Sequence, residues 1–164
     1  MSKRADSGRA SIREPNEVLG YLLKHAHLAL EGHTDAALAR FGITSRDLGA
    51  LRVIAGGEAK SQQDVAGILG VDRTSMVALL DALEQAGIVA RRPSEQDRRR
   101  NVIELTKPGR EIFVQAEQSS LAVEKDFVGV LGVKGASELR RALGSLVGSP
   151  VLTADPMGSN SRSA

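Results

Sequence analysis

The chain has 164 residues, enough for one domain with short arms; 41% of them are apolar but only 2% aromatic, so the core must be Leu, Val, Ile and Ala. With no cysteine, disulfides, thiolate chemistry and cysteine-based zinc sites are excluded; no apolar run approaches the roughly 20 residues of a membrane span and no signal core follows the first residues, so a soluble, cytoplasmic protein is expected. The net charge is only +2, but Arg91, Arg92, Arg98, Arg99, Arg100, Lys107 and Arg110 face only Glu95, Asp97 and Glu104 within 91–110, while 1–43 and 112–164 are close to balance.

Residues 1–13 and 149–164 are rich in Ser, Gly, Pro and Asp and read as poorly ordered arms. From 15 to 41, Val18, Leu19, Leu22, Leu23, Ala26, Leu30, Ala37 and Phe41 recur near helical spacing, with Gly42 as the residue just past the end. Thr44 to Asp47 offer a cap for a short helix carrying Leu48, Leu51, Val53 and Ile54, which Gly56 and Gly57 stop.

Ser61, with Asp64 three residues on, opens a third helix whose buried side is Val65, Ala66 and Leu69. Gly70 allows a sharp left-handed turn. Asp72 caps a fourth helix running to about Ala86, where Met76, Leu79, Leu80 and Leu83 commit one face to the core. Residues 88–92 read as a short extended segment, and the alternating stretch 101–105 as a returning strand, which together make a β-hairpin with a long basic tip. Thr106 caps a long helix with Pro108 in its first turn, carrying Ile112, Phe113, Ala116, Leu121 and Val123 to about Val130. A last helix spans about 136–147. The fold class is mainly α with a small β-hairpin wing.

Residues 61–86 have helix-turn-helix spacing. The fourth helix turns Thr74, Val77, Ala78 and Asp81 away from its buried side, a small and weakly charged face where an idle surface helix would carry Lys and Glu. Small side chains let a helix enter a major groove, where Thr and Val meet thymine methyls. Arg73, Thr74 and Ser75 at its start offer N–H groups and a guanidinium to phosphate or base. Ser61, Gln62 and Gln63, at the start of the preceding helix, join the candidate DNA-contacting set. An ordinary helical hairpin gives the same pattern, and the arginine-tipped hairpin that follows is what favours a winged helix. Its wing reaches a minor groove, where narrow tracts attract arginine. Arg91 and Arg92 stand at its base near phosphates, and Arg98, Arg99 and Arg100 at its tip. Arginine suits this role better than lysine because it is planar and more weakly hydrated.

The combination Leu83-Glu84, Gly87-Ile88-Val89-Ala90-Arg91, Asp97-Arg98-Arg99 and Leu105-Thr106 with Gly109 resembles the multiple-antibiotic-resistance regulator (MarR) family of winged-helix repressors. The resemblance covers roughly 14–148. It implies a homodimer joined through 14–42 and 107–148, a reading head over 44–106, and binding to a pseudo-palindromic operator, usually as a repressor. It assigns Arg99 to the minor groove, Asp97 to holding the wing, and the recognition helix to 72–84. Val77-Ala78 stands where the family often has a polar or basic pair, so base readout leans on Arg73, Thr74, Ser75 and apolar contacts.

Many members of that family release DNA on binding a small phenolic ligand, an oxidant or a metal, so a small-molecule effector is among the implied partners. Without Cys, thiol oxidation is excluded. His25, His27 and His33 form no ligand cluster, since i and i+2 do not share a helix face, although His27 and Glu31 do. No metal site or cofactor is expected. Two other readings compete with the regulator. A winged helix that binds protein would carry a neutral or acidic wing, and this one is basic. An enzyme would need a nucleophile–base set, a phosphate loop or a metal motif, and none is present.

Overall fold

The structure is a computed structural model and describes residues 14–56, 61–93 and 101–148. The chain divides into two compact units, residues 1–123 and 124–164. The first holds α1 (Leu19–Leu38), α2 (Ser45–Ala55), α3 (Gln62–Leu69), α4 (Arg73–Gln85), β1 (Val89–Pro93), β2 (Asn101–Leu105) and most of α5 (Lys107–Phe127). The second holds the end of α5, a 3₁₀ turn Val128–Leu131 and α6 (Gly132–Val147). The fold is mostly helical with a two-stranded antiparallel hairpin.

The helix starts follow from local chemistry. Thr44 caps α2 and Ser61 caps α3, each in a full capping box with the aspartate three residues on. Asp35 of α1 also accepts the backbone N–H of Ser45 at 2.6 Å, which ties the end of α1 to the start of α2. The core of the first unit is one cluster. Leu38, Leu48, Leu51, Val65, Met76 and Leu80 are essentially sealed from solvent, with Ile88, Val89, Ile103 and Leu105 of the hairpin and Ala116 of α5 against them. Each of these leucine, isoleucine, valine and methionine side chains contributes about 1.5–3 kcal/mol. The hairpin is therefore anchored at its base by the same core that holds α4.

Two arginines fasten the start of the unit to α5. Arg52 of α2 donates to Glu117 at 2.9 Å and Ser120 at 3.1 Å, and Arg40 donates to Ser119 at 2.8 Å while lying over the Phe41 ring. In the second unit Arg140 of α6 donates through Nε and Nη2 to Glu124 at 3.0 and 2.7 Å.

Three expectations change. The long helix does not run as α-helix to Val130 but tightens into the 3₁₀ turn at Val128. The last helix begins at Gly132, four residues before 136; Gly132 itself takes a positive φ and closes the 3₁₀ turn, its N–H reaching Gly129 O. The first extended segment starts at Val89 rather than Ile88, since Ile88 closes the turn that ends α4. The periodic apolar residues Leu19, Leu22, Leu23, Leu121, Leu139 and Leu146 are exposed in the chain. Residues 1–13, Gly57 and the tail 149–164 lie outside the described residues.

Candidate nucleic-acid interface

The turn between α3 and α4 is set by backbone bonds. Gly70 adopts φ 62°, its N–H reaches Gly67 O at 3.3 Å, and the Val71 N–H reaches Ala66 O at 3.0 Å. This closure needs a left-handed residue, which only glycine supplies at no steric cost. It brings Asp72 into place as cap of α4, accepting the Ser75 N–H at 2.9 Å. The Ser75 hydroxyl and N–H together hold the Asp72 carboxyl below the ordinary carboxylate value.

That cap corrects one expectation. The N–H groups at the start of α4 are not all free for phosphate, because Ser75's is taken by the Asp72 carboxylate. An anion already sits where the helix dipole would draw one. At this end of α4 the side chains of Arg73 and Thr74 are both exposed. Ala78 and Asp81 are exposed along the same outward face, while Val77 and Ser75 are half-buried. At the start of α3, Ser61 and Gln62 are half-buried and Gln63 is exposed. The Ser61 hydroxyl is occupied within its capping box, donating to Asp64 at 2.7 Å.

In the hairpin Val89 pairs with Leu105, Arg91 with Ile103 and Arg92 with Val102. Side chains alternate along a strand, so Arg91 shares the inward face of Val89 while Arg92 points the other way. Arg91 turns its guanidinium onto Asp81 and Glu84 of α4, and its backbone N–H also donates to Glu84 Oε1 at 3.2 Å. Burial alone would lower the Arg91 pKa; the bonds to Asp81 and then Glu84 outweigh it and leave it above its ordinary value. Arg91 was expected near phosphates together with Arg92. The structure commits it to α4 instead, with only 23% of its side chain exposed. Arg92, 70% exposed, has among the described residues only a loose 3.4 Å pairing with Glu104. Asp81 and Glu84 were missed as partners because composition marks Arg91 as one arginine of five. The signal was the strand alternation itself.

The hairpin's return is locked to α5 by Thr106. Its hydroxyl donates to Gly87 O at 2.6 Å and accepts the Gly109 N–H at 2.9 Å, while its backbone N–H donates to Ile88 O at 3.0 Å. The first turn of α5 lies so close to Ile88 that a Cβ on Gly109 would stand 1.9 Å from the Ile88 carbonyl oxygen. The spacing Leu105-Thr106 with Gly109 is thus the joint between the wing and α5. Asp97, Arg98, Arg99 and Arg100, the expected tip, lie outside the described residues.

On α1, His27 lies 3.9 Å from Glu31 and His25 stacks on Tyr21 with ring centroids 3.9 Å apart. Among the described residues no group of three or more His, Cys, Asp or Glu is placed to hold a metal ion, and no helix is long and apolar enough to cross a membrane.

Residues 41–100, from the end of the helix before α2 through the wing, match the model of the MarR family. An HTH-type transcriptional repressor of Mycobacterium tuberculosis, Rv2887, is 30% identical over 128 residues, which is 78% of this chain and 92% of that protein. The chain belongs to the MarR family. A further relative, named as a transcriptional regulatory protein for the hcr operon of Thauera aromatica, is 36% identical over 86 residues. That match spans 52% of this chain and about half, 52%, of the relative's length. Among solved structures, the repressor CouR bound to a 23-mer DNA duplex superposes with a TM-score of 0.77 at 28% identity, covering 85% of this chain and 99% of CouR. The MarR-family protein Rv2887 of M. tuberculosis in complex with DNA gives 0.69 at 30% identity, covering 80% and 98%.

Proposed function

We propose that this MarR-family regulator is a non-catalytic, cytoplasmic repressor that binds a pseudo-palindromic operator as a homodimer and leaves it when a small-molecule effector binds. The observation that carries the reading is the joint presence of α4's small outward face, Arg73, Thr74, Val77 and Ala78, and a wing whose outer base presents Arg92. The helix enters the major groove, where Thr74, Val77 and Ala78 offer methyl and hydroxyl contacts and Arg73 a guanidinium. Arg98, Arg99 and Arg100 take the wing into the minor groove, with Asp97 holding them, and Arg92, Ser61, Gln62 and Gln63 contact the backbone.

The segments 14–42 and 107–148 form the dimer. Their apolar side chains Leu19, Leu22, Leu23, Leu139 and Leu146 are exposed in a single chain, the pattern of faces that a second copy covers. A protein-binding winged helix is not favoured by any described feature. Support for the operator comes from CouR and Rv2887, both solved on DNA, and for the effector from CouR solved with p-coumaroyl-CoA at 26% identity to this chain.

The test is selection of bound duplexes from a randomised pool. The expected product is a pseudo-palindrome with half-sites about 10 base pairs apart, occupied by two chains. Recovery of no enriched sequence, or of a single half-site bound by one chain, overturns the reading.

A further inference from the structure

We propose that Arg91 is a positioning residue that fixes the angle of the wing against α4, and so sets sequence discrimination, without itself touching DNA. The inference rests on the operator-binding reading and names how that site is held.

A two-stranded hairpin is barely stable by itself and must be oriented by what it packs on. Among the described residues β1 has β2 on one side only. On its free side the Arg91 N–H, which the ladder does not use, goes to Glu84 Oε1 at 3.2 Å. The Arg91 guanidinium then reaches Glu84 again and Asp81 one turn earlier. Residues three apart on a helix project side by side, so the two carboxylates form a cradle that a planar guanidinium with several donors spans. One strand residue is thereby held through main chain and side chain by the helix proposed to read the major groove.

The lever is long enough to matter. From Val89 to Pro93 the strand rises about 13 Å, so a tilt of about 10° at its base moves its far end by about 2 Å, most of a hydrogen-bond length. The charge balance agrees. With two carboxylates on it, the Arg91 cation is neutralised locally, whereas Arg92 on the opposite face is 70% exposed.

The test compares wild type, Arg91→Met and the double variant Asp81→Asn/Glu84→Gln, each checked for wild-type helicity. Affinity is measured by fluorescence anisotropy for the duplex that wild type selects and for a mixed-sequence duplex of equal length, over a range of salt. For Arg91→Met the ratio of the two affinities is expected to fall about tenfold, the effect of one wrong base pair. The dependence of affinity on salt should be unchanged. A salt slope shallower by about two, one for each copy in the dimer, would make Arg91 a phosphate contact and overturn the proposal. The double variant keeps the cation and frees it. Positioning predicts that its ratio falls too, although the site has become more positive; a ratio held or raised overturns the proposal. If wild type selects no sequence, the operator reading itself fails and takes this inference with it. If wild type selects a site and both variants discriminate as it does, only the positioning role fails.

Discussion

Replacing Gly109 by alanine places a methyl group 1.9 Å from the Ile88 carbonyl oxygen and 2.8 Å from its carbon. Ordinary contact needs more than an ångström of extra separation, and neither side can give freely. The Ile88 carbonyl accepts the Thr106 N–H at 3.0 Å, and Thr106 in turn holds Gly87 O and the Gly109 N–H. Overpacking of this kind costs about 1–3 kcal/mol, and weakening one of these bonds adds about 0.5–1.5 kcal/mol. The gain in helix propensity returns at most about 1 kcal/mol. The net loss is about 0.5–3.5 kcal/mol, or a fall in Tm of about 1–14 °C for a chain of this size. Urea unfolding followed by circular dichroism, at one fixed protein concentration so that dimer linkage is constant, measures it. A midpoint equal to or above wild type would refute the close approach of α5 to the wing joint and the packing built on it.

Arg99→Ala is expected to weaken operator binding at least about tenfold and to make its salt slope shallower by about two, one for each copy in the dimer, with no change in unfolding midpoint; unchanged affinity in the folded variant removes Arg99 from the interface. Because Asp72 titrates lower folded than unfolded, its cap on α4 stabilises above the unfolded carboxylate value, near 3.8, and is lost as pH falls through the lower folded value. Asp72→Asn, an equally good cap that does not titrate, should match wild type near pH 7 and lose less stability as pH falls below the unfolded carboxylate value. Parallel pH profiles for the two proteins would contradict that. Light scattering should give the mass of two chains for wild type, and Leu22→Glu, which puts a charge on an exposed apolar face of α1, should shift it toward one; a wild-type monomer at micromolar concentration removes the dimer.

What the sequence made legible was mostly local. Thr44, Ser61 and Asp72 announce helix starts because a short side chain three residues from a free N–H has one good use. Gly42, Gly70 and Gly87 announce ends for the matching reason. The core face of α4 is legible because four apolar residues repeat at helical spacing and all four are buried. What was not legible depended on neighbours distant in the chain. The commitment of Arg91 to α4 requires knowing that β1 turns its odd residues toward Asp81 and Glu84. The Gly109 contact requires knowing that α5 starts beside Ile88. The start of α6 at Gly132 rather than about 136 depends on where the preceding 3₁₀ turn closes, which Gly132 does at a positive φ.

The central claim is that α4 and the arginine wing bind duplex DNA. The most direct measurement is a titration of the purified protein against the duplex it selects, repeated from about 50 to 200 mM salt. Each phosphate neutralised contributes about −0.9 to the slope of log affinity against log salt. Two copies that each use Arg92 and the wing arginines should give a slope of about −6 or steeper, with submicromolar affinity at the lowest salt. A flat salt response, or no binding at about 50 mM salt, would contradict the assignment.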